Sequence, residues 1–261
     1  MNVLVLGDTH GDGEWFNFAC KVAKASEADT ILQLGDMGFW EHTGSGNLFL
    51  NQCERSLEEN DLDCIWIDGN HENHTLLRKR YGPGGMLHEP KGNLWKIRER
   101  LHHAPRGARF YLGGRSFLAC GGAYSIDKAY RTEGSSWWSE EEITWNDVDA
   151  CGTDVTDVLL SHDAPLCGED VMPLIGAHRG KAVPQTERNR TKLQKVVDNT
   201  NPRLVVHGHY HVRYTEEVEN RFMTIVGLGC DGSTGSMGVL NLNTLQVRSP
   251  VWENVNAEDW V

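Results

Sequence analysis

The sequence predicts an α/β fold of the four-layer αββα kind, two mixed sheets packed together with helices outside, and three observations carry that expectation. Short apolar runs at 3–6, 30–34, 64–67, 157–160 and 203–206 each stop at small or polar residues, as buried strands do when their ends reach a site. Amphipathic stretches with a period near 3.6 separate the first three runs. The C-terminal part alternates and turns instead, as antiparallel strands do. One domain over 1–261 is expected, because this length suits a single large α/β domain and no linker composition, long repeat or low-complexity tract breaks the chain.

Taken in order, Val3, Leu4, Val5 and Leu6 make the first strand, which closes in Gly7, Asp8 and His10. Asp8 and His10 lie two apart and would project to one side of an extended segment. A carboxylate with an imidazole suits a borderline divalent ion, although an isolated Asp here also serves as a helix cap or a ribose ligand. Residues 14–25 carry Trp15, Phe16, Ala19, Val22 and Ala23 on one face and read as a helix capped by Asp12 or Gly13. The second strand, 30–34, ends in Gly35, Asp36, Met37 and Gly38; a helix follows at 47–60; the third strand, 64–67, ends in Asp68, Gly69, Asn70, His71 and Glu72. Three such units make right-handed crossovers and a parallel sheet whose carboxyl edge binds ligands. Asp8, Asp36 and Asn70 should therefore be neighbours, although 28 and then 34 positions separate them.

Beyond them the signals blur from 73 to about 106, with a helical stretch at 75–81, the loop GPGG and then Trp95 to Ile97, and 109–112 with 116–121 reads as a hairpin about Gly113 and Gly114. Residues 121–142 are rich in glycine, aromatic and charged residues and read as a long loop with a helix start at Ser139. The strand at 157–160 ends in Ser161, His162 and Asp163. A helix at 188–199 leads to the strand at 203–206, which ends in His207, Gly208, His209, Tyr210 and His211. From 212 to 251 the chain reads as antiparallel strands covering a second sheet.

Composition excludes several functions. The net charge of -12, from 37 acidic against 25 basic residues, argues against an extended nucleic-acid surface or an anionic membrane partner. The start shows no basic region or cleavage site and no run approaches a membrane span. Seven scattered cysteines without a C-x-x-C pair read as reduced thiols. A cytoplasmic protein is expected; the oligomeric state is left open.

Asp8, His10, Asp36, Asn70, His162, His209 and His211 offer too many oxygen and imidazole groups for one tetrahedral zinc. They suit two ions of higher coordination, with Asp36 as the natural bridging carboxylate. Two divalent ions against two carboxylates would also give an acidic protein a locally positive, anion-binding site. The donor set admits iron or zinc, and manganese is the first expectation.

In this order GDTHG, GDMG, GNHE, SHDAP and GHYH closely resemble the five-block signature of calcineurin-like metallophosphoesterases, over Asp8 to His211. The resemblance implies the αββα sandwich and a dimetal centre. It would place one ion among Asp8, His10, Asp36 and His211 and the other among Asp36, Asn70, His162 and His209. His71 matches the family's histidine taken as general acid or phosphate-binding group. The implied reaction is in-line attack of a metal-bridging hydroxide on phosphorus.

Where protein Ser/Thr phosphatases continue their second block into Asp-Arg-Gly, this chain has Phe39 and Trp40 after Gly38, and GHYH looks more like the phosphodiesterase branch. The expected substrate is a small phosphodiester, a cyclic nucleotide or nucleotide ester. No arginine lies near the core motifs, which suits a singly charged diester. A phosphomonoesterase or protein phosphatase with the same centre, or a catalytically silent metal-binding scaffold, is the alternative. Lys128 or Arg131, in the loop from Tyr124 to Trp138, is expected to contact phosphate, with Asn70 also facing substrate and an aromatic stacking a ring. Asp163 is either an orienting group for His162 or a turn residue.

Overall fold

A computed structural model describes residues 1–171, 173, 184–233 and 235–251. Alternation along the strands sorts the apolar side chains into three layers of core. In β1 (Asn2–Leu6), Leu4 and Leu6 face α1 (Gly13–Ala25) and α2 (Gly44–Asn60), while Val3 and Val5 face the opposite sheet. The same division holds in β2 (Ala28–Gln33) and β3 (Asp63–Trp66), where Ile31 and Trp66 lie on the helix side and Leu32 and Ile65 between the sheets. Each strand is buried on both faces, which is why these stretches read as continuous apolar runs.

The first sheet has eight strands. β1, β2, β3 and β6 (Leu101–His103) run parallel, and β4 (Pro90–Lys91) and β5 (Leu94–Lys96) extend one edge antiparallel. The second has six. β8 (Arg115–Cys120), β9 (Val158–Ser161), β10 (Leu204–His207) and β12 (Met223–Gly227) are parallel, flanked by antiparallel β7 (Arg109–Leu112) and β11 (Tyr214–Val218). On its outer face lie α4 (Trp145–Cys151) and α5 (Pro184–Thr200), packed through Val148, Leu193, Val196 and Val197. With α3 (His74–Tyr81) beside the first sheet, the layers are helix, sheet, sheet, helix, as the apolar pattern predicts.

Two expectations change. The C-terminal strands do not all cover the second sheet: β13 (Met237–Asn241) and β14 (Gln246–Arg248) join the first, β13 pairing antiparallel with β1. Alternation in sequence reports a half-covered strand and not which sheet accepts it. Ser139 starts only a one-turn 3-10 segment (Ser139–Glu141), and the helix begins at Trp145, where Thr144 and Asp147 form a reciprocal capping box. Asp12 caps α1 as expected, accepting from Trp15 N at 2.9 Å. Among the described residues no helix is long and apolar enough to cross a membrane.

The inter-sheet layer joins the two sheets through apolar packing. Phe117 is fully buried there and stacks on Phe110 with ring centroids 5.2 Å apart. Phe117→Ala is expected to cost about 3–5 kcal/mol of unfolding free energy in urea titration; a loss below about 1 kcal/mol would contradict this packing.

Candidate metal centre

The loops after β1, β2, β3, β9 and β10 meet at one edge of the sandwich, and every sequence-predicted ligand lies on them. Asp8, Asp36 and Asn70 are 0, 2 and 3% exposed, and His162 is fully buried. Asp36 Oδ1 accepts the backbone N–H of Asn70 and of His71, both at 2.8 Å, and lies 3.5 Å from His162 Nε2. Its Oδ2 lies 3.7 Å from His71 Nε2 and 3.8 Å from His10 Nε2. Asp8 Oδ1 accepts from His209 N at 3.1 Å, while Oδ2 stands 3.0 Å from His211 Nε2 and 4.0 Å from His10 Nε2. Asn70 Oδ1 is 3.1 Å from His162 Nε2, and the His209 ring centroid is 5.1 Å from that of His162.

Tight local backbone makes this convergence possible. His10, Asp36, His209 and His211 all take positive φ, at 48, 51, 69 and 58°. Non-glycine residues hold such angles only where the surroundings compel them, and they gather at functional sites. His10 therefore reaches the side of Asp8 by a turn, and not by the strand alternation their spacing suggests. A Cβ on Gly69 would fall on Asp36 Oδ1 and one on Gly208 on Asp8 Oδ1, so glycine there lets backbone close onto both carboxylates.

Outer partners set which ring nitrogen faces inward. His162 Nδ1 donates to Leu34 O at 2.7 Å, and His10 Nδ1 donates to Asp231 Oδ1 at 2.7 Å, leaving both Nε2 atoms toward the carboxylates. Sequence reasoning missed Asp231, which is brought in by a bridge between Asp8 and Cys230 far along the chain. It also missed Glu72, which accepts Gly69 N at 2.6 Å and Gly38 N at 3.2 Å; burial and the nearby Asp36 raise its carboxyl to about 8. GNHE displays Glu72, but nothing in its spacing says that it turns inward. Asp163 does not touch the His162 ring: it accepts from Tyr210 OH and from Asn189 Nδ2 at 2.7 Å, tying the GHYH loop to α5. Phe39 fills core, stacked on Trp66 at 5.8 Å, and Trp40 Nε1 donates to His71 O at 2.6 Å.

Of the two cationic candidates, Arg131 is brought to the site. Its Nη1 and Nη2 lie against His71 Nδ1 and Nε2, the latter at 3.1 Å, and Asp127 braces it at 2.7 Å. The sequence shows no arginine near the motifs, yet the fold supplies one across 60 positions. Lys128 sits over Tyr124 at 4.5 Å and 3.8 Å from Glu142, and no described contact joins it to a ligand residue.

The donor set fits a pair of divalent ions. Asp8, His10 and His211 form one group and Asp8, Asp36 and His162 another, with donor atoms within 4.8 Å of one another in each. Asp8 belongs to both, and Asp36 approaches the first through His10. The charges tell the same story. Burial opposes ionisation of Asp36, but His162, His71 and His10 outweigh it and hold the carboxyl well below the carboxylate range. Burial likewise opposes charge on His162, yet Asp36 and Asp8 pull it up to about 10. Bonds to Asp8 and Cys230 raise His211 to about 10. Burial and His162 hold His209 well below its usual value. The buried carboxylates thus demand positive charge, which protons on two imidazoles supply when no ion does.

A pH dependence follows with a definite sign. His162 and His211 are protonated at pH 7 without metal, and both must lose a proton to present a lone pair, so uptake releases about two protons and affinity rises with pH toward 10. Calorimetric titration with manganese in buffers of different ionisation enthalpy reads this number. Release of none would contradict the arrangement.

Comparison with known proteins agrees with the geometry. The chain superposes on a protein of Thermus thermophilus, TT1561, with TM-score 0.57 and 16% identity, covering 95% of this chain and 96% of the other. It superposes on a dimetal phosphatase from Danio rerio with TM-score 0.53 and 12% identity, covering 92 and 91%. At these identities the likeness is one of fold. Comparison with curated proteins finds no match. The model of the calcineurin-like phosphoesterases matches residues 1–213, which include every candidate ligand position described above, and the chain belongs to that family.

Proposed function

We propose that this protein is a two-ion phosphodiesterase acting on small nucleotide esters or cyclic nucleotides, built as one domain over 1–261. The observation that carries the reading is Asp36, a buried carboxylate that faces His10, His71 and His162 at 3.5–3.8 Å. One ion would be held by Asp8, His10, Asp36 and His211, the other by Asp36, Asn70, His162 and His209. Such ions supply Lewis acidity toward phosphoryl oxygens and lower the pKa of water enough for attack near neutral pH. Manganese is favoured among ions suited to mixed carboxylate and imidazole donors. The thiols are all free, five of the seven buried, which supports a reducing, cytoplasmic setting.

The chain's own groups do the rest. Burial lowers the pKa of His71, Asp36 opposes this, and Arg131 and His10 add to the lowering. His71 is then neutral at pH 7 and acts as an N–H donor to the oxygen that gains charge as the ester bond breaks. The Asp127-braced Arg131 guanidinium lies beside it, placed to pair with a phosphate oxygen. That same arginine favours a second reading, a phosphomonoesterase, because a dianionic ester gains more from an added cation than a diester does.

Metal-stripped protein given manganese should hydrolyse bis-p-nitrophenyl phosphate in preference to p-nitrophenyl phosphate, and Asn70→Ala should abolish turnover. Preference for the monoester selects the second reading; no turnover of either ester in folded, metal-loaded protein removes both. Arg131→Ala is expected to lower kcat/KM about 10- to 100-fold, the scale of one charged hydrogen bond, with bound metal unchanged. Unaltered kinetics would remove Arg131 from the site.

A further inference from the structure

The loop that follows β8 carries a buried hydrogen-bond chain that the reaction as described does not use. Asn70 Nδ2 donates to Ser125 Oγ at 2.9 Å, and Ser125 Oγ donates to Glu141 Oε2 at 2.6 Å. Ser125 N donates to the other carboxylate oxygen, Oε1, at 2.9 Å. All three residues are buried, at 3, 1 and 0% exposure. Both oxygens of Glu141 accept, so the Ser125 hydroxyl hydrogen must point at Glu141. Its lone pairs are then left for Asn70, which must present N–H to Ser125 and its carbonyl oxygen to the His162 side. An asparagine amide is a ligand only through that oxygen, and its two ends differ little in shape, so something outside the amide must choose between them.

We propose that Ser125 and Glu141 are positioning residues that set the amide orientation of Asn70 and thereby the affinity for the ion on the Asn70 and His162 side. This rests on the two-ion reading above. It also explains the anchoring of the long loop. Ser125 and Glu141 stand near its two ends, and between them Arg131 reaches His71, so the segment that carries the phosphate-facing arginine is fastened to a ligand of the centre.

Glu141→Gln tests the polarity at nearly constant volume. A glutamine cannot accept at both positions: with its amide nitrogen toward Ser125 Oγ it donates, the hydroxyl turns toward Asn70, and the Asn70 carbonyl is drawn out of the site. Ser125→Ala removes the relay outright. Full-length, metal-stripped wild type and both variants would be titrated with manganese calorimetrically, and their metal-free forms melted for comparison. The expected result is two ions in wild type and, in each variant, one ion weakened about 10- to 100-fold with the other unchanged and the metal-free melt preserved. Two wild-type affinities in both variants would overturn the proposal. So would equal weakening of both ions together with a lowered melt, which marks general loss of structure. If Glu141→Gln does not fold, Ser125→Ala decides alone. A wild type that takes two ions and cleaves neither ester leaves this inference standing and removes the catalytic reading; a wild type that takes a single ion overturns both.

Discussion

The carboxylate of Asp36 is almost wholly buried, and its two oxygens face opposite ways: Oδ1 toward the Asn70 and His71 backbone and His162, Oδ2 toward His10 and His71. A carboxylate removed from water is costly unless charge and hydrogen bonds replace its hydration. Everything around it answers that demand, including Gly69, whose missing side chain admits the two backbone donors. Asp8 poses the same problem one strand away, answered by His209 N and His211. Holding two carboxylates inside this edge makes it electrostatically receptive to cations.

The scaffold can afford this because its strands are buried on both faces and their ends are rigidly placed. Four of the sharing residues keep left-handed backbone angles that an isolated chain would leave. The interleaved core of Val3, Val5, Leu32, Leu34, Val206 and Leu228 pins the strands from which those turns depart. Precision at the site is therefore set by inter-sheet packing some residues away. Leu34 O and Asp231 fix the rings of His162 and His10, while Glu72 holds the backbone of Gly69 and Gly38 and the Asp163 to Tyr210 bond ties down the GHYH loop.

Much of this was legible in the residues. An apolar run that stops at Gly-Asp or at a histidine pair states both a buried strand and a polar edge, so the two-sheet architecture and the meeting of the seven candidate residues at one edge could be read from Val3 to His211. What could not be read depends on distance along the chain. The 124–138 loop offers Lys128 and Arg131 alike, and no local pattern says that Arg131 is the one that meets His71, 60 positions away, or that Asp231 meets His10, 221 positions away. Ser125 and Glu141 sit in a stretch whose composition says only that it is irregular. The placement of β13 beside β1 was hidden for a different reason: alternation describes a strand's two faces and not its neighbour. The diester reading rests on the GHYH ending and on Phe39 and Trp40 in place of Asp-Arg-Gly, while the lack of arginine near the motifs, which agrees with it in sequence, is made good in space by Arg131.

The proposed centre is a pair of ions close enough to share a carboxylate. Electron paramagnetic resonance of the metal-stripped protein titrated with manganese tests it most directly, because two high-spin ions about 3.5 to 4 Å apart interact magnetically while isolated ions do not. The isolated-ion signal is expected to give way to a spin-coupled spectrum as the second equivalent is added. A spectrum that stays that of isolated manganese through two bound equivalents would contradict it.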